Sequence, residues 1–157
     1  ALCANPVGKL RLSHFSNNSD GADPVGIPKD GGRTSGLLKK AIELVGKPSA
    51  ICPHATGTQT QARAESLFLN AGELGSQPTL HLLKPYVGHT IGASGLLESA
   101  ILLAFMRHDK LPPNLPSTAG LPNLPAPTDS KSLSGPVFKL AHGMGGHNAL
   151  AVFHTTP

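Results

Sequence analysis

The sequence has no tryptophan, one tyrosine and two cysteines, and aromatic residues make up only 4% of its 157 positions. Cys3 and Cys52 are too few for a disulfide framework and point to a reducing, cytoplasmic setting, with a lone pairing between them left open. Charge is also scarce: 14% of residues are charged, the net charge is +4, and Lys39-Lys40 is the only adjacent basic pair. Without a basic stripe or interleaved aromatics, nucleic acid is not the expected partner. No apolar run is long enough to span a bilayer, and no basic-then-apolar leader opens the chain. The chain starts at Ala1 rather than at a methionine, which suggests a processed or excised piece. Eight histidines are present, but neither HExxH nor any Cys/His ligand spacing occurs, so no metal is expected. The GxSxG spacing of a hydrolase elbow is missing, and no repeat of solenoid length is visible.

What is present is a hydrophobic fraction of 39%, enough for one domain with a real core. Residues 1–33 read as a loosely patterned leading segment, with residues 34–157 carrying the domain. Within the leader, Leu10 to Phe15 alternates like a strand, and Ser16-Asn17-Asn18-Ser19-Asp20-Gly21 and Asp30-Gly31-Gly32 are turn formers. Leu37, Leu38, Ala41, Ile42 and Val45 share one face of a helix, capped by Thr34 or Ser35 and ended by Gly46 and Pro48. Ser49 to Cys52 is a buried-strand candidate. The helix after it places Ala64, Leu67, Phe68 and Ala71 on one face.

Thr79 to Leu83 reads as another strand, and Ser94 to Arg107 as a helix apolar most of the way round, hence buried. Leu111 to Pro127 is a proline-rich crossing in extended form. Pro136–Leu140 and Ala149–Phe153 follow as a hairpin-like pair of core strands. This alternation predicts a layered α/β unit with a mixed β-sheet flanked by helices, its site on the loops that follow the strands.

Three such loops carry histidine: His54 with Thr56 and Thr58, Lys84 with His89, and His142 with His147. Two neutral imidazoles converging on one point can donate hydrogen bonds to a carbonyl oxygen as it becomes negative. Backbone N–H groups around Gly145 can complete an oxyanion hole. By itself the Leu82–Gly95 stretch reads equally well as a strand-turn-helix connection whose glycines relieve crowding. Glu65 reads equally as a favourable charge near a helix N-terminus or as the partner that keeps Lys84 charged.

The ordered set His54-Ala55-Thr56-Gly57-Thr58, Glu65, Lys84-x-x-x-Gly88-His89-Thr90-x-Gly92-Ala93-x-Gly95 and Gly143-Met144-Gly145-Gly146-His147-Asn148 resembles the C-terminal half of β-ketoacyl-acyl carrier protein synthases. These are the elongating condensing enzymes of fatty acid and polyketide synthesis. The resemblance implies the C-terminal half of a thiolase-like fold. His54 and His89 would then bind the malonyl thioester carbonyl, Lys84 would order the site, and Glu65 would be the acid linked to that lysine. Thr56 and Thr58 would contact the phosphopantetheine arm of the carrier protein, and Met144 and Gly145 would border the acyl pocket. No metal or nucleotide cofactor is implied.

The family's nucleophilic cysteine belongs to the N-terminal half, and neither Cys3 nor Cys52 matches it, so the chain alone should not condense anything. Expected partners are the acyl carrier protein, that missing half, and a second subunit in a homodimer or heterodimer. The alternative is a non-catalytic subunit, of the chain-length-factor or carrier-protein-binding kind. Departures from the family pattern are Ala55 for Gly, Gln61-Ala62 for Asn-Asp, and His142-Gly143-Met144 for Phe-Gly-Phe. A half-fold should also expose apolar surface.

Overall fold

The computed structural model describes residues 10–21, 32–69, 74, 78–116 and 124–155. One five-stranded mixed sheet runs in the order β1-β7-β6-β2-β3, with β1 at Leu10–Ser19, β2 at Ala50–Cys52, β3 at Thr79–Leu80, β6 at Val137–Gly143 and β7 at His147–Thr155. The pairs β1/β7 and β7/β6 are antiparallel, while β6/β2 and β2/β3 are parallel. The predicted mixed α/β sheet is therefore present, and the predicted C-terminal pair is its β6–β7 hairpin.

The inner parallel strand β2 is short and wholly buried, as expected for a parallel strand covered on both faces. Alternation along β6 sends Phe138 and Leu140 to one face with Ile51, Leu80, Leu150 and Val152. There α1 (Thr34–Val45) contributes Leu37, Leu38 and Ala41, and α2 (Gln59–Leu69) contributes Phe68 and Leu69. Val137 points to the other face, with Ala50 and Cys52, against Leu102 and Met106 of α4 (Ser94–Met106). The result is helix, sheet, helix in three layers. Between β3 and α4 lie the one-turn helix α3 (Lys84–Val87) and a 3-10 turn at Ile91–Ala93. Pro85 suits the first turn of α3, and Gly88, at φ +73°, ends it.

The crossing is stitched to the edge strand β3 rather than lying loosely on it. The buried Asn114 side chain accepts from Leu82 N–H at 2.7 Å and donates to the Leu80 and Pro127 carbonyls, each at 2.8 Å. His81, buried beside it, hydrogen-bonds the Pro112 carbonyl and Thr79. Lys110–Leu111 and Lys131–Ser132 add a small ladder, β4/β5.

Four local expectations change. Ser16–Ser19, read as turn formers, continue β1, because Ser16 to Ser19 pair with Leu150 to His147 in register. A complete ladder outweighs the weak turn preference of asparagine and serine. Neither Thr34 nor Ser35 caps α1: Arg33 occupies that position without a side-chain cap, and Thr34 instead bonds His142. Leu67 is exposed, while Ala71 lies outside the described residues. The apolar helix α4 buries only Ser94, Glu98, Leu102 and Met106, one stripe at a spacing of four, and Leu96 is 81% exposed. Among the described residues no helix is long and apolar enough to cross a membrane.

Candidate active site

His54 leaves the C-terminal end of β2, His89 follows α3, and His142 lies near the end of β6, so the sheet topology gathers three imidazoles from three distant segments. Ring centroids are 5.3 Å apart for His54 and His89, nearly perpendicular, and 5.4 Å apart for His54 and His142. All three line an open cleft of about 1320 Å³, together with Thr58, Gln61, Ile91, Met144 and His147 among others. Of the expected substrate-binding residues, Thr58 and Met144 are on its wall, and Met144 is 70% exposed. Thr56 and Gly145 are not among the lining residues. Thr56 bonds Thr58 at 3.2 Å, and the Gly145 carbonyl accepts from Ser19 at 3.1 Å. Thr58 also caps α2, its hydroxyl accepting the Gln61 N–H at 3.3 Å.

His54 is buried, and its Nδ1 is the one buried side-chain polar atom with no partner among the described residues. Burial, reinforced first by Lys84, pushes its pKa down to about 2, so the ring is neutral at physiological pH. A buried polar atom kept without a protein partner is costly, which makes this nitrogen one that a ligand or water would satisfy. His89 is anchored through Nδ1 to Ser94 at 3.0 Å.

His142 accepts from Gln61 at Nδ1, 2.8 Å away, which leaves Nε2–H to donate to Thr34 Oγ1 at 3.3 Å. Both its nitrogens are thus committed, and burial lowers its pKa to about 4. Phe68 meets its ring edge-on at 5.7 Å. Among the described residues no three His, Cys, Asp or Glu side chains are arranged to hold a metal.

The lysine has a different partner from the one expected. Lys84 Nζ lies 2.6 Å from Glu98 Oε1, buried on the inner stripe of α4, and not on Glu65. The second Glu98 oxygen is 2.8 Å from Lys139 Nζ, so one carboxylate holds two lysines. Burial lowers the Lys84 pKa, and the Glu98 hydrogen bond opposes the shift.

Glu65 acts elsewhere. Both its oxygens accept the Ala55 N–H, at 3.0 and 3.1 Å, and burial raises its pKa. Ala55 has φ +42°, in the left-handed region that a Cβ disfavours, so Glu65 holds a strained turn immediately after His54. The Gly otherwise found at this position in the family pattern meets that geometry without strain.

Sequence reasoning missed Glu98 and Lys139. The available signal was a lone charge interrupting an apolar run, in Leu96-Leu97-Glu98 and in Val137-Phe138-Lys139-Leu140. Cys52 carries a free, fully buried thiol whose pKa burial pushes up to about 11, which makes it inert as a nucleophile; Cys3 lies outside the described residues. In the last motif, Gly146 has φ +70°, a conformation that a Cβ disfavours, and a Cβ there would also lie a tight 3.0 Å from Asp20. Asn148 ties β7 to β1 through Asn18 and Asp20, at 3.0 and 2.8 Å.

Comparison with known proteins agrees with this architecture. The model of the beta-ketoacyl synthase C-terminal domain matches residues 11–118, a span that holds His54, Glu65, Lys84, His89 and Glu98. The 3-oxoacyl-[acyl-carrier-protein] synthase 2 of Mycobacterium tuberculosis is 30% identical over 155 residues, covering 91% of this chain and 36% of that protein. The highly reducing polyketide synthase sphB of Aspergillus fumigatus is 29% identical over 170 residues, covering 96% of this chain and 7% of that protein. Among solved structures, a ketosynthase in complex with its chain length factor from Xenorhabdus doucetiae superposes with a TM-score of 0.79 at 25% identity, over 94% of this chain and 39% of that one. A β-ketoacyl synthase from Burkholderia phymatum gives 0.73 at 23% identity, over 95% and 38%, a likeness of fold. The chain spans little more than a third of the synthase 2 relatives' length. With the match covering most of its described core, the chain belongs to the β-ketoacyl synthase C-terminal domain family.

Proposed function

We propose that this chain carries the decarboxylating half of a condensing site acting on a malonyl thioester of acyl carrier protein. The observation that carries the reading is the neutral His54 imidazole, its Nδ1 without a partner among the described residues, set 5.3 Å from His89 in one cleft. On loss of CO2, the electron pair of the broken C–C bond passes to the α-carbon and the thioester oxygen. N–H donors from these two rings stabilise that oxyanion, and the neutral His54 does so without holding a carboxylate back as a salt. The enolate then attacks an acyl thioester on a cysteine, forming the new C–C bond and releasing the cysteine thiolate.

That cysteine would come from the part of the relatives' length that this chain does not span, since Cys52 is buried and inert. The chain alone is then inactive in condensation. The exposed apolar face of α4, with Leu96 and Leu97, is where that remaining portion would lie. Thr58 and Met144, on the cleft wall, would meet the pantetheine arm and the acyl chain.

The test is release of labelled CO2 from carboxyl-labelled malonyl carrier protein by the full-length polypeptide that contains this chain. His54→Ala and His89→Ala should each reduce release by about 100-fold, the usual cost of removing one oxyanion donor. Undiminished release in either variant overturns the assignment. No release by the unsubstituted protein would instead favour a non-catalytic subunit.

A further inference from the structure

Lys139 stands in the middle of β6, opposite Cys52 of β2 in the parallel register, and alternation turns it with Val137 toward α4. It is 3% exposed. Its Nζ makes three contacts: Glu98 Oε2 at 2.8 Å, the Leu140 carbonyl at 2.6 Å and the Pro53 carbonyl at 3.4 Å. Pro53 immediately precedes His54, and Glu98 is the residue that holds Lys84. A single carboxylate balances only one of the two ammonium groups bonded to it. Burying an additional lysine is costly, and a packing role alone would be served by an apolar side chain.

We propose that Lys139 is a positioning residue of the condensing site, tying the strand exit that presents His54 to the Glu98 carboxylate that holds Lys84, and supplying a positive charge beyond the one Glu98 balances. The proposal rests on the decarboxylating reading of the site. The surplus charge acts on His54 and His142, where it disfavours protonation and favours an anion in the cleft. The charged and titratable groups around His142 are Lys139 on its own strand, Lys84 of α3, Asp20 beyond β1, and His54; those around His54 are Lys84, Lys139, His142 and His89. Glu65 of α2 also feels Lys139. Lys139 is the leading charge acting on His142 after burial, and it adds to Lys84 at His54.

The experiment combines two readouts on Lys139→Met, which keeps the side-chain length without charge, and on Lys139→Gln, which keeps a donor without charge. In the full chain, the His142 imidazole titration followed by NMR should move up from about 4 in both variants, by about one pH unit. In the full-length polypeptide, CO2 release should fall about tenfold at saturating substrate in Lys139→Met, with its acid limb displaced upward. Lys139→Gln should recover part of the rate but not the acid limb, which separates the tie from the charge. An unmoved His142 titration, or unchanged CO2 release and pH profile while His89→Ala lowers release about 100-fold, overturns the role of Lys139 and leaves the functional reading standing. Absence of release by the unsubstituted protein removes both. Should Lys139→Met not fold, the Gln variant decides by the same two readouts.

Discussion

Replacing Glu98 with glutamine tests the buried charge cluster directly. The carboxylate lies 2.6 Å from Lys84 and 2.8 Å from Lys139, and the side chains involved are nearly wholly buried. At an effective dielectric of about 20, each pair is worth roughly 6 kcal/mol before the cost of desolvation. Glutamine is the same size but removes both attractions at once, leaving two ammonium groups buried side by side. The expected loss of stability is about 3–5 kcal/mol, that of breaking a buried ion pair. With a urea slope of about 2 kcal/mol per molar, the unfolding midpoint should fall by about 2 M. Lys139→Met alone should cost only about 1–2 kcal/mol, because the Lys84–Glu98 pair survives. The double variant should then be about 2 kcal/mol more stable than the sum of the two losses, since removing Lys139 relieves the repulsion that glutamine creates. Additivity within about 0.5 kcal/mol would refute the claim that the three charges act as one unit.

Two further outcomes follow from the same structure. His142 is neutral in the folded chain, with a pKa of about 4, and ordinary in the unfolded one, so its contribution to stability is present above pH 6.5 and lost as pH falls toward 4. Those 2.5 units amount to about 3 kcal/mol, and the pH dependence of urea midpoints should be shallower by that much in His142→Phe than in the parent; parallel curves would contradict it. Asn114→Ala strands the Leu82 N–H and the Leu80 carbonyl at the sheet edge, and should cost about 2–4 kcal/mol by thermal unfolding. A loss under about 0.5 kcal/mol would mean that water replaces the side chain.

The residues that the sequence made legible are those whose signal is local. The 3.6-residue phase of Leu37, Leu38 and Ala41 set the inner face of α1, and glycine-rich loops after apolar segments marked His54, Lys84 and His89 as exceptional. The mixed sheet and its final hairpin followed from alternation and order. Partnership through space was not legible. Glu65 and Glu98 are both glutamates on helices that follow a histidine loop, and no local rule says which one Lys84 reaches. The pairing of β2 with β6 decides it, because it brings Lys139 beside Cys52 on the α4 face, while Glu65 turns to the strained Ala55 turn on its own loop. Ser16 to Ser19 became strand for the same kind of reason: their partners, Leu150 to His147, lie more than a hundred residues away. The extent of α4's burial was likewise beyond the reach of composition, since an apolar helix is buried only where another layer meets it. Residue type thus determined which side chains could do chemistry here, and the sheet's long-range register determined which of them meet.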